Sequence, residues 1–430
     1  LKQTGYPTLI VTTNYDKKKK ILLLTLEQRG QQENALWEFP CIIACCNKDG
    51  TVLQEKTVII SKKNQNILFE HIEEPAFLSL NRGYTFYGKV DYLATVDELL
   101  LQLQHDTDII NKYLAFYTLA DREKLRLLQD RTKEVNATFV DLIFTLLNNK
   151  QLMDDVGSAM ILIFEDVTNE QFAHRYQDLY DVKEKILTAV AKKYTKELLK
   201  LYETYATKRS QGTLVEQRIA SIKDRQIKNT LLGILARLET SDMHALIKKQ
   251  FLTATNATDK LTAFRLYVNS TAADKQQLLK TYQDEAKQHL VSWEVFLSVI
   301  GSNDSADYLT TIKALEQSPS FRIEQSNDQR ALYGLFAYNK KKSLLTSAGR
   351  DYLKTCILKL ASINEYNTLH LIKTLGTLDK IDSEYQIPLV RMIEEILQAL
   401  SPEKTPSVYN SLKRILMGSP KATEAYQSKH

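Results

Sequence analysis

Several architectures are excluded by what this 430-residue chain has little of. It has four cysteines, three of them in Cys41-Ile-Ile-Ala-Cys45-Cys46. That spacing offers neither a disulfide framework nor a paired Cys-x-x-Cys metal site, and it fits a reducing, cytoplasmic setting. On a strand Cys41 and Cys45 share one face and Cys46 takes the other, so buried thiols are expected. The longest apolar runs, such as Ile21 to Leu24 and Met160 to Phe164, fall far short of the ~20 residues that span a bilayer, so no membrane span is expected. Leu1 is not followed by a basic segment and an apolar run, and there is no initiator Met, so a fragment or processed product without a signal peptide is expected.

Charge of one sign is missing too. The net charge is +5, and with 12 basic and 10 acidic residues up to Leu93 it divides into +2 there and +3 beyond. Lysine runs at Lys17 to Lys20, Lys62-Lys63, Lys192-Lys193, Lys248-Lys249 and Lys340 to Lys342 are scattered, whereas a nucleic-acid footprint needs them clustered on one face. Solvated turns and helix faces are the expected setting for these runs, with no nucleic-acid partner. The seven histidines are dispersed, and no His-Glu-x-x-His run places two zinc ligands beside a general base. Gly-x-Ser-x-Gly, Gly-x-x-x-x-Gly-Lys and Gly-x-Gly-x-x-Gly are likewise absent. Neither a catalytic nor a metal site is expected in this chain.

What is present changes period near Leu93. Before it, Tyr6 to Thr13 and Ile21 to Gln28 flank Asn14-Tyr-Asp-Lys17, and Leu36 to Cys46 and Thr51 to Ile60 flank Asn47-Lys-Asp49-Gly50. Both pairs predict hairpins, the second because Asp and Gly tolerate positive φ. With Asn66 to Ile72, Ala76 to Leu80 and Tyr84 to Tyr92, about seven short strands predict a small antiparallel β-sandwich over residues 1–93. After it, the 337 residues from Ala94 hold only 8 glycines and 5 prolines, so almost nothing interrupts helices. Apolar faces recur at helical spacing, as in Phe139, Val140, Ile143 and Leu147, or in a single longer face from Val182 to Tyr205. Caps such as Asn256-Ala-Thr258-Asp259 mark starts. About sixteen helices of 10 to 20 residues predict a large all-α domain over 94–430, a HEAT-like superhelical solenoid, ending in a flexible polar tail at 418–430.

The ordered landmarks carry a resemblance. Gln3-Thr-Gly5-Tyr-Pro7, Leu26-Glu-Gln28, Trp37-Glu-Phe-Pro40, and His105-Asp106-Thr-Asp108 with Asn111 resemble the carboxy-terminal half of zinc-dependent aminopeptidases of the aminopeptidase N type. Lys249-Gln250-Phe251 followed by Asn256-Ala-Thr258-Asp259, and Ser320-Phe321 followed by Asn327, Arg330 and Phe336, look like the bacterial alanyl aminopeptidase branch. The resemblance implies domains three and four of a four-domain metallopeptidase whose zinc ligands and catalytic residues all lie outside this chain. It implies a helical bowl enclosing a chamber over the catalytic domain of the same polypeptide, with peptides as substrates and with apolar surface where the two halves meet. Arg330 matches a chamber-facing arginine of the family, and His370-Leu371 stands where the branch has a second arginine followed by leucine. Gln325-Ser-Asn327 replaces Asn-Pro-Asn, and Leu344-Leu345 replaces Phe-His. A free-standing helical-repeat scaffold that binds protein partners along a concave face is the alternative from another class.

Overall fold

The computed structural model describes residues 4–30, 36–206 and 213–428. Gln3 of the opening landmark and His430 lie outside the described residues. Seven strands form: β1 Thr8–Asp16, β2 Ile21–Arg29, β3 Phe39–Cys46, β4 Val52–Ile60, β5 Asn64–Glu70, β6 Phe77–Leu80 and β7 Lys89–Tyr92. They make a four-stranded sheet in the order β5-β2-β1-β7 and a three-stranded sheet in the order β4-β3-β6. Period-two alternation explains the core. Leu22, Leu24 and Leu26 of β2 turn inward with Leu9 and Val11 of β1 and Ile67 and Phe69 of β5. Cys41, Ile43 and Cys45 of β3 belong to the same cluster, and each fully buried large apolar side chain contributes roughly 1.5–3 kcal/mol.

Two details depart from the expected sandwich. β7 pairs with β1 in parallel, Thr8 opposite Lys89, so not every pairing is antiparallel. β7 is also shorter than the strand expected from Tyr84, because Asn81, Gly83 and Tyr84 take positive φ values of 52°, 66° and 52°. Asn81 makes that excursion tolerable: its side chain accepts from Phe86 N (3.2 Å) and Thr85 Oγ1 (3.0 Å) and donates to Phe86 O (3.1 Å). In the second hairpin only Gly50 uses positive φ, at 86°. A Cβ there would also stand 2.2 Å from the His105 carbonyl oxygen, so glycine is required twice over.

Contacts divide the chain into two compact units, one running to Glu123 and including Ala159–Ile163, the other comprising Lys124–Ser158 and Phe164 onward. The change of period near Leu93 is therefore not where the first unit ends. Helix Val96–His105 and the start of helix Ile109–Gln129 are bound to the strands by side chains. Tyr92 donates to Glu98 (2.8 Å), Gln102 to Leu78 O (3.2 Å) and Asn111 to Ser79 Oγ (2.9 Å). Arg82 bridges Glu55 (3.2 Å) and Asp106 (3.3 Å). The landmark Asp106-Thr-Asp108 with Asn111 is thus a fastening between helix and sheet.

In the second unit most helix contacts join elements one to three steps apart along the chain, as in repeat stacks, and helix Tyr176–Lys193 also meets the later helix Lys340–Ser343. Among the described residues, sixteen α-helices reach eight residues or more, and their lengths run to 23. Side-chain caps at Thr213, Asn256, Thr346 and Asn364 explain where several begin. The single face expected from Val182 to Tyr205 is divided between helices Tyr176–Lys193 and Thr195–Ala206, broken at Tyr194. There Tyr194 stacks on Phe144 at 3.9 Å and donates to Asp141 (2.7 Å).

The expected flexible tail is corrected as well. Pro420–Gln427 is a helix, with Pro420 in its first turn and Ala422 buried. Asp379 explains the order: its carboxylate accepts from the backbone N–H groups of Lys421 (3.3 Å) and Ala422 (2.9 Å), capping the helix from outside. No described helix is long and apolar enough to cross a membrane.

Candidate functional site

Arg330 opens a π-helical turn, Arg330–Gly334, which follows the short helix Ser326–Gln329. The turn lies close to helix Leu290–Gly301 because Gly301 has no side chain. A Cβ there would meet the carbonyl oxygens of Leu332 at 2.4 Å and Ala331 at 2.9 Å. The inner side of the segment is held by polar side chains that are themselves buried. Asp328 accepts from Trp293 Nε1 (3.2 Å) and from Arg322 N (3.1 Å), and Gln329 donates to Ile323 O (2.6 Å). Asn367, on helix Glu365–Ile372, donates to Ser326 O (3.0 Å) and to Gln329 Oε1 (2.6 Å). Each bond removes a buried group from the desolvation penalty of about 1–3 kcal/mol that it would otherwise carry.

The outer side is different. Arg330 is exposed, and its Nη2 donates to Asn327 Oδ1. Asn327 in turn donates to Glu294 Oε1 (2.6 Å). His370 is half-buried on the same helix as Asn367, edge-on to the ring of Tyr366 at 4.9 Å. The two residues singled out from sequence thus sit on helical segments linked through the Asn367–Gln329 bond. Leu344, where the bacterial branch has an aromatic residue, is fully buried, so that position serves packing.

Sequence reasoning missed Glu294, Asp328 and Asn367, whose partners lie 33 to 41 residues away. It also misjudged Lys340 to Lys342 as solvated. Lys341 is 9% exposed, pairs with Asp304 (3.0 Å) and Glu165 (3.3 Å), and lies over the Tyr180 ring at 4.6 Å. Lys340 lies over Tyr176 at 4.8 Å and Lys342 over Tyr308 at 5.1 Å. Burial pushes the Lys342 ammonium below its ordinary range.

A cleft of about 760 Å³ opens between helices Thr195–Ala206, Leu214–Ala236 and Ser241–Thr253. Its polar floor is a closed network. Tyr202 donates to Gln250 (2.9 Å), Gln250 to Asn229 (2.8 Å) and Asn229 to Asp259 (2.9 Å). Lys228 (2.5 Å) and Asn256 (2.9 Å) also donate to Asp259. The Lys249-Gln250 and Asn256-to-Asp259 landmarks are therefore parts of a structural knot. Among the described residues, no three His, Cys, Asp or Glu side chains converge where they could hold a metal ion.

Comparison with known proteins agrees with a strand region followed by a large helical one. Residues 5–93 match a domain family of unknown function described as having an Ig-like fold, DUF3458, and residues 96–416 match its companion, DUF3458_C, described as ARM repeats. The chain is 23% identical over 416 residues to aminopeptidase N of Escherichia coli K12, covering 92% of this chain and 47% of that protein. It is 23% identical over 339 residues to aminopeptidase N of Caulobacter vibrioides, covering 76% of this chain and 38% of that protein. A crystal structure of Legionella pneumophila aminopeptidase A in complex with aspartic acid superposes with a TM-score of 0.81 at 19% identity, over 96% of this chain and 49% of that one. The chain thus spans about half the length of the relatives it matches, or less.

Proposed function

From a chain that belongs to the DUF3458 family, with an Ig-like domain followed by ARM repeats, we propose the carboxy-terminal, non-catalytic half of a zinc aminopeptidase. The observation that carries this reading is coverage: nearly all of this chain matches aminopeptidase N, and that match occupies 47% of the relative. In this reading the helical domain forms the wall and lid of a chamber over the catalytic half, in the cytoplasm. It admits peptides and limits their size. Arg330 supplies a guanidinium to a peptide carboxylate or carbonyl, and His370 a second polar contact. The zinc belongs to the catalytic half, and no bond-breaking step falls to this chain's residues.

An exposed apolar face supports a missing partner surface. Leu214, Val215, Ile219 and Ile222 follow one another along the start of helix Leu214–Ala236, and Leu214 is 85% exposed. The catalytic half is the proposed cover.

The test is to assay the purified chain for bound zinc and for cleavage of an alanine anilide, alone and joined to the coding sequence upstream of Leu1. The chain alone should do neither, and the joined polypeptide should show chelator-sensitive cleavage. Zinc-dependent cleavage by the chain alone, or an upstream sequence without His-Glu-x-x-His, would refute the reading.

A further inference from the structure

We propose that Glu294 is a positioning residue: acting through Asn327, it fixes the direction in which Arg330 presents its guanidinium, and so gives the site a preference for peptides bearing a carboxylate. The inference rests on the reading above that Arg330 meets peptide.

Three features converge on it. A carboxylate can only accept hydrogen bonds, so Glu294 Oε1, 2.6 Å from Asn327, must face the amide's NH₂. The Asn327 oxygen is then turned to the other side, where Arg330 Nη2 donates to it. Without Glu294 the amide could turn over, setting its NH₂ against the guanidinium, donor against donor. The outward geometry of Arg330 is therefore decided two side chains away.

The second feature is the rigid base. Asp328 and Gln329, the residues between Asn327 and Arg330, are fully buried and bonded to Trp293, Ile323 O and Asn367. The backbone that carries the clasp is held, so the Arg330 side chain is the part whose freedom Glu294 controls. An arginine ordered before its ligand arrives loses less rotamer freedom on binding.

The third is what the clasp leaves open. Arg330 is exposed, and the bond to Asn327 engages Nη2 only, leaving Nε and Nη1 to donate outward. A full positive charge with free donors favours an anion over a neutral carbonyl, because charge-assisted hydrogen bonds are roughly twice as strong. The carboxylate can be a peptide's terminus or an acidic side chain. Both present the same planar pair of oxygens.

Two measurements separate the clasp from the peptide reading. On the 430-residue chain, ¹⁵N relaxation of the Arg330 Nε–H should report a rigid side chain that becomes mobile in Glu294→Ala and stays rigid in Glu294→Gln, whose amide oxygen can still accept from Asn327. In the polypeptide joined to its catalytic half, Glu294→Ala should raise KM for an acidic peptide about threefold to tenfold, with kcat and the alanine anilide KM unchanged. Glu294→Gln should recover most of that loss. In an Arg330→Ala background Glu294→Ala should add nothing, as coupled residues require. Amidating the peptide's terminus, or exchanging its Glu for Gln, shows which carboxylate is read. Unchanged Nε–H mobility in Glu294→Ala overturns the clasp. Increased mobility with an unchanged KM overturns the peptide preference and the assignment of Arg330 to substrate, while the positioning bond itself stands.

Discussion

Replacing Asp259 by alanine should destabilise the second unit by about 3–5 kcal/mol, because it breaks a largely buried charge pair from one side. The Asp259 side chain is 7% exposed and that of Lys228 is 12% exposed, 2.5 Å apart. That burial decides the magnitude, since an exposed pair would contribute only about 0–1 kcal/mol. Removing the carboxylate strands the Lys228 ammonium and also leaves the amides of Asn229 and Asn256 without the acceptor they now use. The Asn256 cap itself should survive, because it holds the backbone N–H of residue 259 (2.9 Å). The assay is urea unfolding. The two tryptophans fall one in each compact unit, so Trp293 fluorescence in a Trp37→Phe background follows the second unit by itself. The midpoint should fall with the slope unchanged. Adding Lys228→Met to Asp259→Ala should recover part of the loss, since an apolar replacement removes the uncompensated charge. A loss under about 1 kcal/mol, or no recovery in the double variant, would mean that the knot contributes as a surface pair does.

Other expectations follow from single contacts. Gly301→Ala should destabilise the second unit by about 1–3 kcal/mol, read as a fall in the Trp293 urea midpoint, because the new methyl must push the π-helical turn away from its helix. Glu165 would be raised by burial, but Lys183 and Lys341 outweigh that and hold its carboxyl below the ordinary range. Its stabilising contribution is therefore complete above the unfolded-state value of about 4.3 and is lost as pH falls through the lower folded value. Glu165→Gln should be less stable than the unaltered chain at pH 7, and the difference in unfolding midpoint should shrink with acidification below about pH 4. Burial pushes the thiols of Cys41 and Cys46 up to about 11 and that of Cys45 up to about 12, and Cys356 is also raised. Ellman's reagent at pH 8 should find no reactive thiol in the native protein and all four in denaturant, since only the thiolate attacks.

Much of this chain was legible before any contact was known. The strands at Tyr6 to Thr13 and Ile21 to Gln28, the hairpin at Asn47 to Gly50 and the cap at Asn256 are local patterns, and all appear as read. The parallel β7 and the ordered helix at Pro420–Gln427 were not legible. The first depends on a pairing of residues 8 and 89, and the second on a carboxylate 42 and 43 residues earlier in the chain. Arg330 was found through resemblance, yet the Glu294 that holds its partner was not, because 33 residues separate Glu294 from Asn327 and no spacing rule joins them.

The sequence by itself determined the two classes of secondary structure and the place where one yields to the other, since periodicity and capping act over a few residues. Only the tertiary structure decided which polar side chains are buried together, as at Asp259, Asp328 and Lys341. Their partners come from other helices, and burial makes each such contact decisive where the same groups in water would exert little effect.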